Sequence, residues 1–293
     1  MDEHSLATIL TFIDFTESSL NALSVASRLC QQHEAQLRLV YVLKADYGQH
    51  PQPSVTNTSI EYLLREGADL IQLLATQTAQ SFQIHCTSAC RLGNKSDEIV
   101  TEASSVKADL IIMGTQTGSD MQSYRMNNDA YLVVESAHCP VLTVPDRKQW
   151  ATFERILFPV RPIPGALDKY EFARRIIRKN KASLTVLALS APEEVISIRD
   201  LQDILTELTT RLDDDQVVNQ TLFCATDLMA ATVLKKAQEI KTDLIIITAQ
   251  LITTMDDLLI GPFTQQMIHN AQVPVLSIRS EADHYQAGEL SRI

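Results

Sequence analysis

The strongest constraint on this chain is that it repeats itself. Residues 108–116 read ADLIIMGTQ and residues 242–250 read TDLIIITAQ, 134 positions further on. Residues 138–144 (HCPVLTV) meet 272–278 (QVPVLSI) at the same offset, the stretch between is gap-free in both copies, and Cys90 falls opposite Cys224. Upstream, residues 9–14 (ILTFID) match 156–161 (ILFPVR), and 37–43 (LRLVYVL) match 184–190 (LTVLALS), at an offset of 147. A repeat of this period predicts two copies of one fold in tandem, and 293 residues are enough for each copy to bury its own core. The first copy spans 1–146 and the second 155–280, with a polar joint at 146–154 interrupted by Trp150 and Phe153 and a tail at 281–293. The difference between the offsets gives the first copy 13 extra residues, in the loop 44–59 that holds Gly48, Pro51 and Pro53.

Within each copy, short runs of Val, Ile and Leu alternate with segments of helical spacing. The runs are too continuously apolar to be strands with one wet face, so they predict a parallel sheet covered on both sides. In the first copy the strands are expected at 9–13, 37–43, 81–89, 109–113 and 141–144. Thr16 offers an N-cap to a helix whose Leu20, Leu23, Ala26 and Leu29 line one face, and Ser96 does the same for the helix containing Ile99. Right-handed crossovers then make the fold class α/β, with two doubly wound domains of five parallel strands each.

Composition removes several classes of function. The hydrophobic share of 45% and charged share of 21% describe a folded, soluble chain, and no apolar run reaches the roughly 20 residues that span a bilayer. With no signal-peptide pattern in residues 1–7, the expected location is cytoplasmic. A net charge of −11 repels a phosphate backbone, so no nucleic-acid partner is expected. The densest basic stretch, Arg174, Arg175, Arg178, Lys179 and Lys181, closes a predicted helix where cations complement the dipole. Five cysteines without CxxC spacing and seven scattered histidines describe neither a disulfide framework nor a metal site; Cys86 and Cys90 share one face of a strand and read as packing. Ser18 and Ser19 beside Glu17, and Ser119 beside Asp120, read as helix caps, since no histidine is placed to activate them.

Ligands of such sheets bind outside the carboxyl ends of the strands, where strand order reverses. That directs attention to Asp14, to Val42 and to the loop that begins Gly114-Thr115. Asp14 after an apolar first strand, MGTQ at the end of the fourth and CPVLTV as the last make the chain resemble the universal stress protein family, over nearly its whole length and twice. The resemblance implies that ATP-binding members carry G-x2-G-x9-G-[S/T] after the fourth strand, with glycine amides and a helix N-terminus around the phosphates, and an aspartate at the position of Asp14 on the nucleoside.

This sequence departs from that motif. Counted from Gly114, Thr117 takes the second glycine position, Asn127 the third and Asn128 the hydroxyl position, with Gly118 one residue late. In the second copy the positions hold Thr248, Leu251, Gly261 and Pro262, and Arg161 replaces the aspartate, where it is a candidate contact for an anion or for Asp256 or Asp257. No P-loop or GxGxxG is present. The reading is a non-catalytic stress-response or regulatory protein with no resident cofactor. The resemblance further implies pairing of the two copies through their last strands, 141–144 and 275–278, as an intramolecular pseudo-dimer that is open to further homo-oligomerisation. The alternative is an ATP- or nucleotide-binding module or slow ATPase using only the first copy, with the second as a partner domain; a third reading is a ligand other than ATP, suggested by Arg161 and by the loop 44–59, whose length suits either a lid or a disordered segment.

Overall fold

The computed structural model describes residues 5–44, 57–116, 121–146, 152–192, 195–249, 251–253 and 258–280. In the first half, strands β1 (Thr8–Phe12), β2 (Gln36–Lys44), β3 (Cys86–Gly93), β4 (Leu110–Thr115) and β5 (Val141–Pro145) alternate with helices α1 (Glu17–His33), α2 (Asn57–Phe82), α3 (Lys95–Ser105) and α4 (Met121–Ser136). The second half runs β6 (Arg155–Val160), α5 (Asp168–Asn180), β7 (Ser183–Ser190), α6 (Val195–Asp214), β8 (Asn219–Ala225), α7 (Met229–Glu239) and β9 (Leu244–Ala249). It ends with a hairpin of β10 (Leu251–Thr253) and β11 (Leu258–Ile260), then α8 (Pro262–Asn270) and β12 (Val275–Arg279).

The strands form one ten-stranded sheet in the order β3-β2-β1-β4-β5-β12-β9-β6-β7-β8. Inside each half all five strands are parallel and the order reverses beside the first strand, which is the doubly wound arrangement. The halves meet through β5 and β12, antiparallel, with Leu142 opposite Leu276 and Val141 opposite Ser277. Leu142, Val144, Leu276 and Ile278 are buried in the same apolar cluster as α1 and α5, so one face of the core is continuous across the junction. Phe153, in the joint between halves, is 3% exposed and belongs to that cluster.

Several local expectations need correction. Residue 81 lies in α2, which runs to Phe82, so the third strand begins at Cys86; alternating burial was too weak a signal there against a helix that continues. The fourth strand extends through Gly114 and Thr115 rather than stopping at Met113. Leu20 is 43% exposed, off the buried stripe of Leu23, Ala26 and Leu29. The cap of α3 is Asn94, whose Oδ1 accepts from the N–H and hydroxyl of Ser96; Ser96 is one of the helical residues being capped. Thr16 does cap α1, accepting from Ser19 N. The gap-free alignment of the two halves also conceals a difference of structure, because positions that form the first turns of α4 face the β10–β11 hairpin of the second half, and there the helix begins only at Pro262.

Candidate functional site

At the carboxyl end of β1 the chain makes a tight turn into α1. Asp14 Oδ1 accepts from Thr16 N at 3.0 Å and from the Thr16 hydroxyl at 2.5 Å, and Ser19 Oγ donates to Thr16 O at 3.0 Å. This is an Asx turn feeding a helix cap, and it holds Phe15 in the left-handed region at φ 62°, with its ring edge-on to Tyr41 at 5.4 Å. Asp14 therefore has a local structural duty. Gly114, one strand away, has another: a Cβ placed there would sit 2.4 Å from Ser18 C and O and 2.7 Å from Ser19 N. The absent side chain lets the end of β4 press against the first turn of α1, which leaves this glycine facing protein backbone.

Phe12, Asp14, Ser18, Lys95, Met113, Gly114, Gln116, Asp129 and Ala130 surround a cleft of only about 50 Å3. Lys95 Nζ lies 3.6 Å from Asp129 Oδ2 and 5.7 Å from the Phe12 ring centre, so a half-exposed ion pair between α3 and α4 crosses the cleft. Pairs of that exposure contribute about 0–1 kcal/mol, which leaves the bridge easy to open. Of the other sequence-derived candidates, Val42 is buried in the core beneath the cleft and Thr115 is buried opposite Pro145. Asn127 and Asn128 lie within α4, beyond its first turn. An amide there is committed to the carbonyl four residues back, so these positions do not supply the free helix-end N–H groups that the motif's last glycine and hydroxyl would. Thr117 and Gly118 lie outside the described residues.

The corresponding end of the second half carries the opposite charge. Arg161, just past β6, stacks its guanidinium 4.1 Å from the Phe263 ring centre, and burial lowers its pKa to about 10. Lys169, in the first turn of α5, is 2% exposed; its Nζ donates to Pro159 O and lies 4.3 Å from the Phe158 ring centre. Burial first, and then the charge of Arg161, hold the Lys169 ammonium well below its ordinary pKa. No carboxylate pairs with either cation among the described residues; Asp256 and Asp257 lie outside them. Helix α8 has Gly261 at its N-cap without a side-chain cap, and the buried hydroxyls of Thr248 and Thr264 have no hydrogen-bond partner among the described residues.

Sequence reasoning missed Lys95, Asp129 and Lys169. Lys169 carried a faint signal, as a lysine on the apolar side of an amphipathic helix in the position that Ala22 occupies in the first half. Lys95 and Asp129 carried none, because 34 residues separate them and each is ordinary on a helix surface.

Comparison with known proteins agrees with this architecture. The chain is 27% identical over 137 residues to a universal stress protein of Methanocaldococcus jannaschii, covering 46% of this chain and 80% of that one. It is also 28% identical over 134 residues to the Na(+)/H(+) antiporter NhaS5 of Synechocystis, but covers only 19% of the antiporter's length. Among solved structures, a universal stress protein from Archaeoglobus fulgidus superposes with a TM-score of 0.75 at 15% identity, over 95% of this chain and 99% of the other. A functionally unknown protein from Pseudomonas aeruginosa gives 0.66 at 17%, over 99% and 98%. Those identities speak to fold alone. The model of the universal stress protein family matches twice, over residues 6–145 and 152–279, and the chain belongs to that family as a tandem two-domain member.

Proposed function

We propose that this protein is a non-catalytic member of its family that acts in stress response as an intramolecular pseudo-dimer. The observation that carries the reading is the closed switch point of the first domain. A cleft of about 50 Å3, crossed by the Lys95–Asp129 pair, is far smaller than the roughly 300–1,000 Å3 of a typical small-molecule site. The antiparallel β5–β12 pairing supports the pseudo-dimer, since it uses within one chain the edge that would otherwise recruit a second. Nucleophilic chemistry finds little support in the cysteines: burial raises the thiols of Cys30, Cys86, Cys90 and Cys139, those of Cys86 and Cys139 to about 12, away from the reactive thiolate. A cytoplasmic location is part of this reading; among the described residues no helix is long and apolar enough to cross a membrane.

The second reading is an ATP-binding module or slow ATPase in the first domain. It is favoured by Asp14 lining the cleft beside a lysine whose ion pair is weak enough to open. In the second domain the corresponding reading is an anion contact at Arg161. Isothermal titration of the full chain with Mg-ATP, repeated on Asp14→Ala, separates the readings. The expected result is no saturable heat at millimolar ATP. Saturation near one equivalent, abolished in Asp14→Ala, would replace the first reading with the second.

A further inference from the structure

The two outer ends of the ten-stranded sheet are finished differently. At one end β3 lies under α2: a Cβ on Gly67 would come within 2.9 Å of Cys90 Sγ, and Ser88 Oγ donates to Gln72 Oε1 at 2.9 Å. At the other end is β8. Cys90 pairs with Tyr41 and Phe223 with Ala188, equivalent positions of β2 and β7, so the second domain has a phenylalanine where the first fits a small thiol beneath a helix glycine. Phe223 is 70% exposed, and Val218 and Leu228, which flank the strand, are 74% and 72% exposed. A ring left so far in the open contributes little to the packing of its own domain.

Between α6 and β8 runs an open groove of about 720 Å3, walled by Asp203, Leu205, Thr206 and Asp213 of the helix and by Thr221 and Phe223 of the strand. The strand also offers its backbone. Leu184 N–H donates to Val218 O and Thr226 N–H to Ser190 O, so the even positions of β8 face β7. The N–H and C=O groups of Asn219, Thr221, Phe223 and Ala225 therefore face outward, where no strand pairs with them among the described residues. Such edges are ordinarily blunted by a charge or a proline, and β8, reading NQTLFCA, has neither.

The groove is negative. None of its nine lining residues is basic, and Asp203 and Asp213 join no ion pair among the described residues. Arg211 of the same helix is held by Glu171 and Glu207, and Arg199, one turn before Asp203, lies outside the walls. The hydroxyls of Thr206, Thr209 and Thr210 donate to carbonyls four residues back, so what they have left to offer is acceptor oxygen. Asp203 and Asp213 stand about 15 Å apart along the helix axis, a distance that an extended chain covers in roughly four to five residues.

We propose that β8 and this groove dock an extended segment of a partner protein, which adds a strand to the sheet, lays an apolar side chain on Phe223 and sets a Lys or Arg against each of Asp203 and Asp213. A second copy of this chain is the poorer occupant, because two-fold pairing at β8 would set α6 beside its counterpart, carboxylate against carboxylate, on chains that each carry a net charge of −11. The surface shares no residue with either switch point and is independent of the nucleotide question.

The test uses the full chain and a fluorescently labelled peptide, Thr-Lys-Thr-Val-Thr-Lys-Thr, whose lysines and valine share one face, followed by fluorescence anisotropy at low ionic strength. The expected result is saturation below about 1 mM, affinity lowered about tenfold in Phe223→Ala and again in the double variant Asp203→Asn/Asp213→Asn, and loss of binding when glutamate replaces both lysines. Two N-methylated peptides, one blocked at the Lys and Val amides and the other at the Thr amides, should bind differently, because only one of the two sets faces β8. All three substituted residues are exposed, so the variants should keep the parent's circular dichroism. An absence of saturation, unchanged affinity in Phe223→Ala, equal binding of the glutamate peptide or equal binding of the two methylated peptides would overturn the proposal. So would sedimentation showing the parent as a dimer and Phe223→Ala as a monomer, which would give the groove to a second copy.

Discussion

Replacing Gly114 by alanine asks whether that glycine serves a ligand or the fold. The new Cβ would lie 2.4 Å from Ser18 C and O and 2.7 Å from Ser19 N, whereas ordinary contact begins at 3.4 Å, so β4 and the first turn of α1 must separate by about 1 Å. The obstacle is backbone at the capped end of a helix, which cannot turn aside as a side chain can. Moving it strains the Thr16 cap on Ser19 N and the 2.7 Å bond from Asn21 Nδ2 to Pro145 O. Overpacking costs about 1–3 kcal/mol and a lost cap about 1, so Gly114→Ala should destabilise the chain by about 2–4 kcal/mol. Gly67→Ala is the control. Its Cβ would meet Cys90 Sγ at 2.9 Å and the Tyr41 ring at 3.1 Å, both side chains able to shift, and alanine regains about 1 kcal/mol of helix propensity. Its net effect should stay within about 1 kcal/mol. Urea denaturation followed by circular dichroism, with midpoints compared at unchanged slope, measures both. A Gly114→Ala midpoint indistinguishable from that of the parent would refute the packing argument and return this glycine to the phosphate loop.

Two further outcomes follow from buried charge. Glu102 is fully buried between Arg38 and Arg91; burial alone would raise its carboxyl, but hydrogen bonds and charge from the two guanidiniums outweigh that and hold it below its ordinary range. The stability this supplies is present above the unfolded carboxyl's pKa and is lost as pH falls through the lower folded one; because Arg38 and Arg91 are partly exposed and can be solvated once unpaired, Glu102→Gln should cost about 1–3 kcal/mol at pH 7 by denaturant titration, with a flatter acid limb than the parent. Lys169 works in the opposite sense. Its folded pKa is depressed, so the parent should gain stability as pH rises toward the unfolded lysine's pKa, by up to about 1.4 kcal/mol per pH unit, whereas Lys169→Met should be flat over pH 7–10; parallel pH profiles for the two proteins would show that this amine stays charged in the fold.

The architecture was legible because it is written in periodicity. Continuous apolar runs at repeated offsets identify buried parallel strands, and the inner strands of a doubly wound sheet leave that trace, whereas the edge strands β3 and β8, only partly buried, do not. The site was less legible because its residues matter through neighbours that are distant in sequence. Asn94 and Ser96 are both good capping residues, and only the extended backbone at Asn94 selects between them. Lys169 reads as one more helix lysine until the fold brings its Nζ to Pro159 O and over the Phe158 ring.

The missing glycines show the same limitation. Counting them as losses from a phosphate loop assumes that each glycine in the pattern faces phosphate. Gly114, the one retained in the first domain, faces the backbone of Ser18 and Ser19. At the aligned strand position the second domain has Thr248, while opposite Ser18 it has Gly165, held at φ 66° where a Cβ would strike Asp168 Oδ2 and Ser280 Cβ at 2.5 Å. The two copies thus place their small residue on different sides of the strand-to-helix junction, according to how each first helix is set on its sheet. Retention of Gly114 therefore does not mark the first domain as the nucleotide-binding half. What distinguishes the switch points is charge: a capping carboxylate and an ion pair at one end, a desolvated guanidinium and a buried amine held well below its ordinary pKa at the other.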